Sequence, residues 1–234
     1  DISAAGPLAV PGISFTVLAG AGGGSGNDVI NVDAGGRALL LDHHHLTVAG
    51  SPSILLTEVD RINLKGAGTL TVIGDNLGNT LKVDAVSPSA GSLRLDAGPL
   101  VVFDNMAALI FDARDGADML RINNPTRTIF APAAGINYAG GGQAGDALDL
   151  LGGGSAAFTE TYSVGPLDGD GHIAFAGPVA LDLRFSGLAP VTDTVRAGQL
   201  TVTATDAANQ IRLDDGLVAA DGRLRVSIDR FEPI

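Results

Sequence analysis

The chain has 234 residues, with 26 acidic against 14 basic side chains, a net charge of −12 and no cysteine. Disulfides, thiolate metal sites and cysteine catalysis are therefore excluded, and the charge balance argues against nucleic acid and anionic membrane surfaces as partners, because both need a clustered basic face. Hydrophobic residues make up 45% and aromatics only 4%, beside 33 Gly and 11 Pro, so the core must be built from Val, Ile, Leu and Ala by a chain that turns often.

No apolar run approaches the ~18 residues of a membrane-spanning helix, and helical periodicity is nearly missing. Short apolar–polar alternations recur instead. In chain order they are ISFTVLAG (13–20), DVINVDAG (28–35), TLTVIGD (69–75), TLKVDAV (80–86), SLRLDAG (92–98), DMLRINN (118–124), LTVTATD (200–206) and QIRLDDG (210–216). A period of two turns Val, Ile, Leu or Phe inward and Asp, Asn, Thr, Arg or Lys outward, so each segment is predicted as a strand.

The strands vary two themes. A small or polar turn leads into an alternating run at 26–32, 78–83, 116–122, 145–150 and 208–213, and longer apolar runs lie at 54–66, 100–113, 179–188 and 225–234. Self-similarity of this kind predicts an all-β fold, namely a right-handed parallel β-solenoid (β-helix) of irregular coils over 1–234, with tandem β-sandwich domains as the alternative. EVDRINLKGAG (58–68) matches SIDRFEPI (227–234), and the chain starts at Asp1 with no signal peptide. The expectation is one period, or a slice, of a longer tandem array. Its assembly joint would be made by Ile13, Phe15 and Val17 near one end and Val226, Ile228 and Phe231 near the other, pairing head to tail with copies of itself or adjacent repeats.

One stretch carries a specific motif: GGSGNDVIN (23–31) has glycine at Gly23, Gly24 and Gly26, an acid at Asp28 and a large apolar residue at Ile30. With the VDRI and IDRF strands and the segment FSGLAPVTDTV (185–195), it resembles the repetitive regions of large bacterial surface proteins, related to haemolysin-type calcium-binding repeats and filamentous-haemagglutinin-like adhesins. The resemblance implies a β-solenoid, an extracellular or cell-surface location, an adhesive or structural role and no catalytic residues. It also implies calcium held between successive turns by glycine carbonyls and the aspartate, here Gly24, Gly26 and Asp28. Such repeats occur in tandem, whereas the nearest second copy is GGQAGDALD (141–149), with Ala144 in a glycine position. RDGADMLRI (114–122) keeps Gly116, Asp118 and Leu120, and GNTLKV (78–83) has Thr80 in place of the acid. The plainer reading is a turn in which glycine supplies positive φ and Asp or Asn ties the backbone.

Other motifs are read more simply. LDGDGH (167–172) has two acids of a calcium loop but not its distal glutamate and is predicted as a hairpin. In DHHHL (42–46), a strand would put His43 and His45 on one face, short of the ligands of a closed zinc site. Carboxylates such as Asp149, Asp182, Asp214 and Asp215 are available for glycosidase chemistry, but Trp is absent and Tyr occurs only at Tyr138 and Tyr162, which leaves few sugar platforms. No G-x-S-x-G elbow and no phosphate-binding loop is present. The expected function is a non-enzymatic structural repeat of an extracellular filament, sheath or adhesin that stacks through open β-edges, with a surface glycan as a further partner. The alternatives are a calcium-responsive secreted repeat module and a β-helix polysaccharide-active enzyme.

Overall fold

The computed structural model describes residues 14–18, 28–188, 190–206, 209–215 and 224–228, among which there is no helix. The first strands are β1 (Ser14–Leu18), β2 (Val29–Asp33), β3 (Leu39–Leu41), β4 (His45–Val48), β5 (Ile54–Leu55), β6 (Arg61–Lys65) and β7 (Thr69–Ile73). Next come β8 (Thr80–Ala85), β9 (Gly91–Leu95), β10 (Leu100–Phe103), β11 (Ala108–Asp112), β12 (Met119–Asn123), β13 (Ile136–Ala139) and β14 (Ala147–Leu151). The remainder are β15 (Thr159–Val164), β16 (Gly171–Ala176), β17 (Leu181–Ser186), β18 (Val191–Asp193), β19 (Gln199–Thr203), β20 (Ile211–Asp215) and β21 (Leu224–Ile228). All eight alternating segments contain strands, and the all-β class stands.

Two large sheets form. The first has the order β1-β2-β6-β10-β9-β8-β12-β14-β18, the second β19-β15-β16-β17-β13-β11-β7-β3-β4-β5, and β20 pairs with β21 in a separate hairpin. The chain passes from one large sheet to the other and back, as in β6–β7–β8 and β10–β11–β12. Period-two patterning decides which side chains are covered: Ile62 and Leu64 in β6, Leu70 and Val72 in β7, and Leu81 and Val83 in β8 all point inward and are buried. The inner faces of both sheets share one hydrophobic cluster reaching from Ile30 to Val191. Six Phe, from Phe103 to Phe185, and both Tyr are buried in it, with Phe111 stacked on Tyr138 at a centroid distance of 5.1 Å.

The expected right-handed parallel β-solenoid is not the fold. Parallel ladders do join β2, β6 and β10, and β8, β12 and β14, but antiparallel strands are built into the same sheets. Strand β9 lies between β10 and β8 and runs antiparallel to both, and β16 does the same between β15 and β17. Strands β3, β4 and β5 form an antiparallel meander, and neither strand order closes on itself. The result is a compact arrangement of mixed sheets packed face to face, sandwich-like rather than an open coil stack. The physical reason is that alternation fixes which face a residue takes, and a parallel and an antiparallel neighbour satisfy it equally well.

The filament reading falls with the solenoid. End-to-end growth needs an elongated unit with free edges that continue its pairing, whereas here dense packing between sheets makes a compact body. Strand β1, which contains Phe15 and Val17, folds back antiparallel on β2. Val226 is buried, and Ile228 is paired with Ile211 across the β20–β21 hairpin. Ile13 and Phe231 lie outside the described residues. The alternation of β19 and β20 also does not bury what it predicts, since Leu200, Ile211 and Leu213 are 49%, 55% and 62% exposed.

The shared core makes a direct prediction. Leu70, fully buried in the second sheet, opens a cavity on truncation, so Leu70→Ala costs about 2–5 kcal/mol, while Leu77→Ala at an exposed turn changes stability by under about 0.5 kcal/mol. Urea unfolding of both variants measures the difference, and equal losses would show that the two sheets do not share a packed interior.

Candidate functional site

Parallel register sets the candidate site. Met119 lies opposite Thr80 on one side and Ala147 on the other, so Asn79, Asp118 and Asp146 stack just ahead of β8, β12 and β14. All three are buried, at 2%, 1% and 0% exposure. The Asn79 N–H donates to Asp118 Oδ1 at 2.6 Å and the Asp118 N–H to Asp146 Oδ1 at 2.8 Å. Each carboxylate thereby satisfies a backbone donor of the preceding strand, where an unpaired N–H would be costly.

A more exposed network adjoins the column. The Asn79 side-chain amide donates to Asp75 Oδ1 and Asp96 Oδ2 at 3.0 and 3.1 Å, and its Oδ1 accepts the Asp75 N–H at 2.8 Å. Asp96 Oδ1 accepts the Thr80 N–H, while Asp96 Oδ2 sits 2.9 Å from His43 Nε2. Glycine makes room for this packing: a Cβ at Gly140 would come within 2.7 Å of Asp146 Oδ2, and one at Gly74 would strike Asn79 Oδ1.

The other oxygens of the column are less well provided for. Asp118 Oδ2, Asp146 Oδ2 and the Tyr138 hydroxyl are buried and carry no hydrogen bond. Burial pushes the Asp118 carboxyl up to about 6, against the pull of the Asn79 N–H and with the charges of Asp146, Asp75 and Asp96 adding to the rise. Asp146 is raised by burial and opposed by the Asp118 N–H. The Tyr138 phenol, brought in from β13, is raised by burial and then by Asp146 and Asp118, so it stays protonated beside two reluctant anions. In contrast, Asp75 is lowered by the Leu77 N–H and the Asn79 amide.

A second acid pair lies elsewhere. Glu160 on β15 alternates in phase with Tyr162 and is 6% exposed. Burial pushes it up to about 7. Asp193, on β18, is raised by burial and by the Glu160 charge, opposed by the Val195 N–H at 2.7 Å, and its Oδ2 has no partner.

The residues singled out from sequence are only partly brought together. Asp28 precedes β2 and its N–H donates to Asp60 Oδ2 at 2.9 Å, the same strand-to-strand cap that joins Asn79 to Asp118. Gly24 and Gly26 lie outside the described residues. Among the described residues no three His, Asp or Glu side chains converge as a ready metal site. The histidine run is not one strand: His43 and His44 form the bend between β3 and β4 and His45 opens β4, with Asp42 Oδ1 accepting the N–H groups of His44 and His45. Residues 165–170 do form a hairpin turn, closed by the Gly165 N–H to Asp170 O. Asp149 pairs with Arg121, Asp182 with His172 and Arg184, and Asp214 with Arg212; Asp215 pairs with Leu224 in the β20–β21 ladder. The available signal for the column was an Asp or Asn one or two places after a glycine and directly ahead of an alternating run, at Gly78–Asn79, Gly116–Ala117–Asp118 and Gly145–Asp146, but the spacing of the calcium motif set Thr80, rather than Asn79, against Asp118.

Raised carboxyls make stability fall with rising pH. The folded state keeps a proton that the unfolded chain releases, so their stabilisation is complete below about pH 4 and is lost through about pH 6 for Asp118 and about pH 7 for Glu160. Thermal melting between pH 4.5 and 8 is expected to show this decline, and Glu160→Gln to flatten its upper part. Asp118→Ala strands the Asn79 N–H and costs about 1–3 kcal/mol at any pH in this range; a melting temperature that rises steadily towards pH 8 in the parent chain would contradict the assignment.

No family model, curated protein or solved structure matches this chain, and with its mixed sheets the resemblance to haemolysin-type and filamentous-haemagglutinin-like repeats is not upheld.

Proposed function

We propose that this chain is an extracellular cation-responsive module, in which the acid column is neutralised by protons at mildly acidic pH and by calcium at neutral pH. The observation that carries this reading is the pair of buried carboxylates, each with one oxygen fixed by a backbone N–H and the other without a partner. Two such anions next to one another repel and are poorly solvated, so any bound positive charge stabilises the fold.

The donor chemistry suits calcium, a hard ion that takes six to eight oxygens. Asp118 and Asp146 offer carboxylate oxygens and Tyr138 a phenol oxygen, fewer than a tight site needs. Such a ligand count belongs with the weak class of extracellular calcium modules, whose dissociation constants lie at about 10⁻⁴–10⁻³ M. What the chain itself does is fix Oδ1 of each acid on backbone, so that only Oδ2 is left to answer the ion.

The test is a melting series in calcium, EDTA and sodium chloride of matched ionic strength. At pH 7.5, calcium at about ten times its dissociation constant stabilises the fold by about 1.4 kcal/mol. The gain is expected to vanish at pH 5, where protons do the work, and in an Asp118→Asn, Asp146→Asn double variant. An equal gain from sodium would reduce the effect to screening, and loss of the gain in Asp28→Asn alone would move the site to the glycine-rich turn.

A further inference from the structure

A different part of the molecule carries a second site. Across the outer face of the first sheet, Arg61 lies opposite Leu100, the Val101–Leu93 pairing brings Arg94 beside Leu100, Arg94 lies opposite Lys82, and Lys82 lies opposite Arg121. Four cations thus stand in one row over five adjacent strands of a chain with a net charge of −12. Lys82 is held by Asp84 at 2.8 Å and Arg121 by Asp149 at 2.7 Å. Arg61 engages Asn63 through Nε only, and Arg94 has no hydrogen bond or ion pair among the described residues. Elsewhere Arg114, Arg184 and Arg212 each lie against an aspartate.

The two unneutralised guanidiniums border a cleft of about 650 Å³, whose walls also include His43, Asp60, Pro99 and Leu100. Two strand spacings separate Arg61 from Arg94, about 10 Å between their backbones, so both can reach one ligand between them. A guanidinium binds a carboxylate by two parallel hydrogen bonds. His43 Nε2 is oriented by Asp96 at 2.9 Å; when Nε2–H donates to that carboxylate, Nδ1 is an acceptor. Asp60 accepts the Asp28 N–H through Oδ2, and Oδ1 can accept a further hydrogen.

The cleft therefore asks for a ligand with an anion at one point and hydroxyl donors at others. A bare phosphate supplies the first but meets repulsion at Asp60. A neutral sugar supplies the second, but its usual recognition by stacking is not served here, since no Phe or Tyr is among the residues that line the cleft. We infer that the His43–Arg61–Arg94 cleft binds a carboxylate-bearing saccharide, a uronate, with the carboxylate on the arginines and ring hydroxyls on His43 and Asp60. Lys82 and Arg121, next in the row, extend the path for a longer uronate chain. No residue of the Asn79–Asp118–Asp146 column lines this cleft, and the two meet only at Asp96, which touches His43 on one side and Asn79 on the other.

The experiment is calorimetric titration of the whole chain with trigalacturonate in EDTA at fixed ionic strength, beside the neutral trisaccharide maltotriose and inorganic phosphate. The uronate is expected to bind, with the neutral sugar and phosphate at least about tenfold weaker. Arg94→Ala and Arg61→Ala should each weaken uronate binding by about tenfold or more, the loss that goes with a charged hydrogen-bonded contact. Arg94→Lys, which keeps charge but not the planar fork, should restore only part, and Lys65→Ala, outside the cleft, should change nothing. All variants must keep the parent melting temperature; where one does not, Arg94→Gln takes its place. Absence of uronate binding, equal binding of the neutral sugar, equal binding of phosphate, or full affinity in Arg94→Ala would each overturn the inference, with equal phosphate binding showing a general anion patch instead.

Discussion

Where β8, β12 and β14 run parallel, each residue lies beside its equal in phase, and the column of Asn79, Asp118 and Asp146 exists only because of that register. The backbone N–H just ahead of β8 and the one just ahead of β12 are each capped by the aspartate of the next strand. The bond is local, but its geometry demands that the carboxylate follow the chain into the interior. Burial then leaves the second oxygen without solvent, and a group that completes the backbone becomes one that resists ionisation. Stability and responsiveness thus have one origin in this fold.

The two sheets divide the remaining chemistry. Their inner faces take six Phe, both Tyr and most of the branched aliphatics, so the surface is left largely with charge and hydroxyls to work with. Outward positions on the first sheet carry side-chain ladders at matched register, such as Asn63 donating to Asn31 and Asn123 to Asp84 at 2.7 and 2.6 Å. One level away the same register lines up Arg61, Arg94, Lys82 and Arg121. A strongly acidic protein thereby keeps a short basic row on one face, and the antiparallel strand β9 is the element that supplies its Arg94.

Much of this was legible in the residues and some was not. Runs such as TLTVIGD and TLKVDAV announce strands because a period of two has no other economical structure. Strand direction was hidden, since an inserted hairpin such as β8–β9 alternates just as a parallel coil would, and that is why the solenoid expectation failed. The column was half visible: Gly116, Asp118 and Leu120 were aligned with the glycine-rich motif, but the match of Asn79 to Asp118 needs the register, not the letters. Glu160 was missed because a glutamate between Phe158 and Tyr162 reads as an outward residue only if polarity is weighed above phase. The histidine run misled for the opposite reason, as Asp42 captures the amides of His44 and His45 and bends the chain at His43 and His44, just ahead of β4.

The most direct test of this account is the titration of single carboxyl groups by carbon-detected NMR with aspartate labelled at the side-chain carbon. Asp118 is predicted to titrate near 6, with Asp146 also above the ordinary aspartate range and Asp75 below it. An Asp118 midpoint at the ordinary value of about 3.9 would contradict the central claim, because it would mean that the column is solvated and that its register has no electrostatic consequence.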